Sequence, residues 1–362
     1  MTRIAILTPS ITTGDAVSND VLGMYDVLKE RGYDARVFAE GWTIDQPRVW
    51  PSPQVGSFLK QPRDILIYHY SRGWDPGLDL LRELKCRKII KYHNVTPPEF
   101  LVGYNSDFAA MCLEGREQLA LIARSGSDIY LSDSAYNMRE LAAEGAAESK
   151  SFVVPPFHHV DRLDSIEPDA NLFKSYSDGK VNVCMVGRVA PNKSHPALIE
   201  AFAAYHHDYN PHSRLIIVGK EEVRLGKYSA LLRAMVSRLK LQADVVFTGE
   251  VSDRALRAYY AAAHIFMITS EHEGFCVPLV EAMAMKLPIV AYASTAIPET
   301  VGTAGLVWEE RNPYLLAESI KSIVGDPSLR RGLSNMGWQR YQALFTNQRI
   351  ENQFKNALDQ VL

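Results

Sequence analysis

Two carboxylates, Glu273 and Glu281, stand eight residues apart in the run Glu271-His272-Glu273-Gly274-Phe275-Cys276-Val277-Pro278-Leu279-Val280-Glu281-Ala282-Met283-Ala284. A carboxylate pair invites an acid–base reading, but the elements that must carry these two groups point elsewhere. Upstream, His264 to Thr269 is a short apolar run of the buried-strand type, and downstream Val280, Ala284 and Leu287 recur at helical spacing. The run therefore reads as strand, loop, helix. A proline is tolerated in a first helical turn, where its missing N–H would have no intrahelical partner, so Pro278 places the helix start near Val277. The backbone N–H groups of Gly274, Phe275, Cys276 and Val277 then make an anion-binding helix end. Glu281 falls one turn inside and leans back toward that end, while Glu273 stays in the loop on the approach side. A phosphate-bearing ligand with hydroxyls at both ends fits this arrangement.

A second cluster supports the same chemistry. Gly187-Arg188-Val189-Ala190-Pro191-Asn192-Lys193 follows a strand and precedes a helix, which puts two cations on one loop. Arginine supplies a planar fork for phosphate oxygens and lysine a flexible point charge. An isolated pair at this spacing is more often a solvated surface pair. Joined to the anion-binding helix end, the phosphate reading prevails. The loop does not match a P-loop, and no GxGxxG follows the first strand, which argues against a dinucleotide dehydrogenase. In the first half, Gly14-Asp15 offers a flexible turn whose N–H groups could approach a diphosphate. His93-Asn94 stands at a strand end, as a hydrogen-bonding pair or as a structural one. No second His, Asp or Glu stands at a convincing metal-ligand spacing from it, so no metal is expected.

These residues need two sheets to hold them. Ile4 to Leu7, Ala35 to Ala39, Ile65 to Tyr68, Lys88 to Tyr92, Ile129 to Leu131 and Phe152 to Val154 read as strands with helical patterns between several of them. A second series runs through Val181 to Val186, Leu215 to Val218, Val245 to Thr248, Ile265 to Ile268, Ile289 to Ala291 and Leu306 to Trp308. Residues 155 to 179, rich in turn formers and without periodicity, read as the linker. The expected architecture is α/β, with two tandem Rossmann-like domains at 1–165 and 166–344, and an amphipathic terminal helix within 345–362 whose stripe of Phe345, Ile350, Phe354 and Leu358 must bury itself on a surface that the pattern leaves open. At 362 residues and 47% hydrophobic content, two cores are expected, because single cores stop growing near about 250 to 300 residues. A net charge of −3 without basic blocks argues against nucleic acid, and four scattered cysteines argue against a zinc site or a disulfide framework. No apolar run approaches the roughly 18 residues of a membrane span, and a cytoplasmic protein is expected.

The assembled pattern resembles the retaining GT-B glycosyltransferases of glycosyltransferase family 4. The resemblance rests on Val186-Gly187-Arg188 with Lys193, on Thr248-Gly249-Glu250-Val251-Ser252, on Glu273-Gly274-Phe275 through Glu281-Ala282-Met283-Ala284, and on His93-Asn94. It implies two Rossmann-like domains facing across a cleft, the first for the acceptor and joined by the terminal helix of 345–362, the second for a nucleotide-sugar donor. Arg188 and Lys193 would hold the donor diphosphate, Glu281 the ribose and Glu273 the transferred sugar, with His93 approaching that sugar and Val251 beside the nucleobase. The implied reaction is metal-independent transfer of a hexose, with retention, from a UDP-sugar to a saccharide or lipid-linked saccharide in bacterial polysaccharide synthesis. Thr12-Thr13-Gly14-Asp15-Ala16 departs from the family's Gly-Gly pair, which weakens any role for this loop. A GT-B-fold nucleotide-sugar epimerase and a catalytically inactive scaffold subunit are the alternatives. Phe108, Met111, Leu119 and Ile122 near Lys85, Arg87, Lys88 and Lys91 admit peripheral contact with the inner face of the membrane, although a helix packed on its own sheet is the favoured reading.

Overall fold

The computed structural model describes residues 2–362. Among them, β1 (Arg3–Ile11), β2 (Asp34–Trp42), β3 (Val49–Pro51), β4 (Ile65–Tyr70), β5 (Arg87–Tyr92), β6 (Ile129–Ser132) and β7 (Ser151–Val153) form one parallel sheet in the order β3-β2-β1-β4-β5-β6-β7. A second parallel sheet takes β8 (Val181–Val186), β9 (Ser213–Val218), β10 (Val245–Gly249), β11 (Ile265–Ile268), β12 (Ile289–Tyr292) and β13 (Gly305–Trp308) in the order β10-β9-β8-β11-β12-β13. Strand order reverses between β1 and β4 in the first sheet and between β8 and β11 in the second. Ligands of open parallel sheets bind beyond the strand ends at such reversals, because neighbouring connections there leave on opposite faces and open a crevice.

The chain divides into two compact units, residues 1–99, 107–159 and 346–362 in the first and residues 100–106 and 160–345 in the second. In the first unit, successive strand residues feed opposite faces. Ile4, Ile6, Val37, Ile65, Ile67 and Ile89 enter one core, whereas Ala5, Leu7, Phe38, Leu66, Tyr68 and Ile90 enter the other. Helices cover both, as the near-continuous hydrophobicity of the strands requires. The terminal helix Asn347–Asp359 sets Ile350, Phe354, Ala357 and Leu358 into the first of these cores. Arg31 pairs with Asp359 at 2.7 Å, and Arg87 donates to the carbonyls of Val361 and Leu362.

Two stretches depart from the sequence expectation. Residues 155–179 hold helices at Val160–Ser165 and Ala170–Tyr176 rather than an unstructured linker. Each is too short to show an apolar period, and each is held by tertiary packing of Val160, Leu163, Leu172 and Tyr176 on the second core. The edge strand Val49–Pro51 is three residues long and ends in a proline, so it carries no strand signature. His206, on the helix His195–Asp208, is 8% exposed and bonds Ser213 Oγ at 3.1 Å through Nδ1.

Candidate functional site

In the second unit the reversal between β8 and β11 brings two loops together. The loop after β8 contains a single turn at Pro191–Lys193 and then Ser194 in a left-handed conformation. The loop after β11 is tied to it: Glu271 N–H donates to Asn192 O at 2.8 Å, Asn192 Nδ2 to His272 O at 3.1 Å, and Ser194 Oγ to Glu271 Oε1 at 2.8 Å. These bonds bring Lys193 Nζ to 2.7 and 2.8 Å from the two carboxylate oxygens of Glu273, whose side chain is 7% exposed. Eighty residues of sequence separate the two partners, so no local pattern announces the pair. Glu273 N–H donates in turn to Thr295 Oγ1 at 2.8 Å. Arg188 stands differently, with its side chain 60% exposed and Glu222 no nearer than 3.9 Å.

The helix Val277–Ala284 starts where Pro278 places it, and no side chain caps it. Its N-cap is Cys276 at φ 76°, a left-handed conformation for a side chain that is 6% exposed. Burial pushes the Cys276 thiol well above its ordinary range, and Phe275 is likewise in the core. The side chains at these two positions therefore serve packing, and what the segment turns outward is backbone. Val251 also packs against the core. Glu281, one turn into the helix, accepts a 2.6 Å hydrogen bond from Tyr260. Burial raises its carboxyl above the ordinary range, and the Tyr260 bond only partly opposes that. A cation–carboxylate pair, an exposed guanidinium, a helix N-terminus and a second, partly desolvated carboxylate thus stand at one sheet reversal, a set suited to a ligand with an anionic middle and hydroxyls beyond it.

Glycines shape the floor of this edge. Gly187, Gly219 and Gly249 all have positive φ, and a Cβ on Gly219 would lie 2.1 Å from Gly187 O. Gly219→Ala is expected to destabilise the chain by about 2–4 kcal/mol, since it combines a φ of +148° with a backbone clash that no rotamer relieves. Chemical denaturation checks this, and a midpoint like that of the unsubstituted chain would contradict it. Sequence reasoning missed Thr295, Tyr260 and Asn192. Tyr260 looked like any aromatic on an amphipathic helix, and Thr295 lies in a loop without periodicity.

In the first unit, Gly14 has φ +79° with open space where a Cβ would be, but the Asp15 carboxylate caps the helix Ala16–Glu30, accepting from Ser18 N–H at 3.1 Å and Ser18 Oγ at 3.0 Å. Helix capping thus occupies the Asp15 side chain, while the expectation for this turn concerned its backbone N–H groups. His93, expected as a hydrogen-bonding group at a strand end, has both ring nitrogens engaged inside its own unit. Nδ1 is 3.0 Å from Asp133 Oδ2 and Nε2 is 2.8 Å from His69 Nδ1, and the side chain is 3% exposed. Burial pushes the His69 imidazole well below its ordinary value. Asp20 is raised by burial, whereas at Asp133 the charges of His93 and Lys91 outweigh burial and hold the carboxyl low. No metal-ligand spacing surrounds His93 in the sequence, yet the fold places ligand-type atoms of Asp20, His69 and His93 within 4.8 Å of one another. Their separations in sequence, 49 and 24 residues, match no metal motif, and only the parallel register of the sheet assembles them.

Of the basic residues considered for a membrane surface, Lys91 is fully buried and Arg87 is spent on the C-terminal carbonyls. Neither is available to anionic lipid. On the helix Ser106–Ala123, Leu119 and Ile122 face the core, in keeping with a helix packed on its own sheet. No helix of the described residues is long and apolar enough to cross a membrane.

Residues 169–340 match the family model described as glycosyl transferases group 1. A GDP-mannose-dependent alpha-mannosyltransferase of Mycobacterium tuberculosis is 31% identical over 352 residues, covering 87% of this chain and 83% of that protein. A protein of the same description from Mycolicibacterium smegmatis is 29% identical over 357 residues, with 87% and 84% covered. Among solved structures, Anabaena Alr3699/HepE in complex with UDP and glucose superposes with a TM-score of 0.78 at 16% identity, covering 99% of this chain and all of that one.

Proposed function

Because this chain belongs to the glycosyl transferases group 1 and is a glycosyltransferase of the GT-B type, we propose that it transfers mannose from GDP-mannose, with retention, to a saccharide or lipid-linked saccharide. The donor differs from the UDP-sugar expected on family frequency. One observation carries it: the two relatives reported above, each matching over more than four fifths of the chain, are described as GDP-mannose-dependent alpha-mannosyltransferases.

The chemistry follows from the site in the second unit. The bond between the anomeric carbon and the β-phosphate oxygen breaks, a bond to the acceptor hydroxyl oxygen forms, and the acceptor's proton passes to the departing phosphate. Negative charge grows on the diphosphate as this happens. An ammonium carries three N–H donors, and Glu273 engages Lys193 Nζ through two oxygens, which leaves a donor for a phosphate oxygen. The exposed Arg188 guanidinium and the start of the helix Val277–Ala284 complete the cradle, with Gly274 at its mouth. Groups aimed at charge that appears only during the reaction lower the barrier rather than merely tightening binding. On this reading no metal is needed, and transfer is expected to persist in excess EDTA. Glu273 orients the sugar, Glu281 the ribose, and Val251 lies by the base.

Thermal shift with GDP, UDP and ADP and their sugars tests the donor, since a ligand at 100 times its Kd stabilises the fold by about 2.7 kcal/mol. Stabilisation by GDP-mannose and GDP alone is expected, and a UDP-sugar shift of equal size would overturn the assignment. The anomeric configuration of the product, read by NMR, tests retention.

Glu281→Gln separates fold from function. An acid whose folded pKa is raised favours the native state below its unfolded pKa, and that contribution is lost as pH rises through the folded value. At neutral pH the charge is therefore a liability to the fold. The variant is expected to melt above the unsubstituted chain at neutral pH, with the gap closing toward acid. Donor binding is expected to weaken about 10- to 100-fold, the worth of a hydrogen bond to a charged group at about 1.5–3 kcal/mol. A variant that binds donor normally would remove Glu281 from the site.

A further inference from the structure

The working edge of the first sheet holds a buried ionic cluster that the donor chemistry does not use. Lys91, on β5, is 0% exposed. Its ammonium lies 2.6 Å from Asp133 Oδ1 and 3.7 Å from Asp20 Oδ2 and donates to the carbonyl of Val154. Asp20 Oδ1 accepts from Phe157 N–H at 2.8 Å, but its Oδ2 has no hydrogen-bond partner and sits 3.6 to 3.8 Å from three nitrogens, His93 Nε2, Lys91 Nζ and His69 Nδ1. One carboxylate and two imidazoles around a buried point are three donors of the kind that hold a divalent cation. The spacing argues against one. Ligands about 2.0–2.1 Å from a tetrahedral zinc stand roughly 3.3 Å apart, whereas His69 Nδ1 and His93 Nε2 are 2.8 Å apart, at hydrogen-bond distance. The positive charge that two buried carboxylates demand is already present as the ammonium of Lys91.

We propose that Lys91 is a built-in cation standing where a metal ion would otherwise be needed, and that through Asp133 it positions the His93 ring with Nδ1–H donating to the carboxylate. Asp133 Oδ1 forms an ion pair with the ammonium while Oδ2 takes the imidazole, so the carboxylate is held from both sides. With Nδ1 committed, the His93 Nε2 faces His69, and two hydrogen-bond contacts and one ion pair link His69, His93, Asp133 and Lys91 along the ends of three adjacent strands. Lys91 is then a positioning residue. Its role does not depend on which sugar the chain transfers.

Three measurements on the full chain test this. After chelator treatment, Co²⁺ titration is expected to give no d–d absorption. Stoichiometric Co²⁺ binding that disappears in His69→Ala would overturn the proposal in favour of a metal centre. Nitrogen-15 NMR of histidine-labelled protein is expected to show His93 carrying a proton on Nδ1, with that signal altered in Asp133→Asn. A ring protonated on Nε2 alone would refute the assigned orientation. Lys91→Met strands two carboxylates and is expected to lower the melting temperature sharply, whereas Lys91→Met combined with Asp133→Asn removes one charge of each sign and regains most of the loss. If the double variant melts at the sum of the two single losses, the ion pair is not what holds the cluster.

Discussion

Lys193→Ala is expected to lose both turnover and stability, and to lose them for different reasons. The ammonium holds both oxygens of Glu273, and both partners are largely buried, with side chains 15% and 7% exposed. Removing one partner of a buried pair leaves the other charge uncompensated, which costs about 3–5 kcal/mol. Removing a donor aimed at the departing diphosphate costs about 10²-fold in turnover. Pairing the substitution with Glu273→Gln separates the two: the double variant is expected to regain most of the stability and none of the turnover. Urea denaturation and single-turnover transfer measured side by side give the answer. A folded, fully stable Lys193→Ala enzyme with unchanged rate would sink the assignment of this pair.

The second large effect is the mirror case. Arg188 is 60% exposed and has no close ion-pair partner, since Glu222 lies 3.9 Å away. Truncation to alanine is therefore expected to leave stability within about 0.5 kcal/mol, as for most surface positions. Turnover is expected to fall about 10²-fold, because a guanidinium that offers a fork to phosphate oxygens has no substitute on that loop. Arg188→Lys is expected to recover only part, since a point charge cannot make the forked contact. Melting temperature and kcat together form the readout. Loss of stability in Arg188→Ala, or a rate near that of the unsubstituted enzyme, would assign the residue to the surface rather than to the diphosphate.

Much of this was legible in the chain because it is local. Strand and helix periods, the proline that starts the helix at Val277 and the loop between β8 and its helix lie within a few residues of the groups they position. The paired sheets follow from alternating strand and helix patterns, and both reversals of strand order coincide with the loops singled out for chemistry. Asp15 shows the opposite case, where a residue in a promising loop turned out to cap a helix. A carboxylate at a helix start is a preferred cap, and only its hydrogen-bond partners show that it serves as one.

By itself, then, the sequence determined which residues of the second unit gather at one edge, including Arg188, Lys193, Glu273 and Glu281, because each is carried there by the end of a strand or the start of a helix. Tertiary structure alone decided what those groups do to one another. Lys193 and Glu273 are 80 residues apart and become an ion pair only when β8 and β11 are laid side by side. Likewise Asp20, His69, Lys91, His93 and Asp133 come from three strand ends and one helix, and nothing in their spacing foretells a shared buried charge. Electrostatic partnership depends on distance and burial, and in a parallel sheet both are set by register between strands that the chain visits far apart.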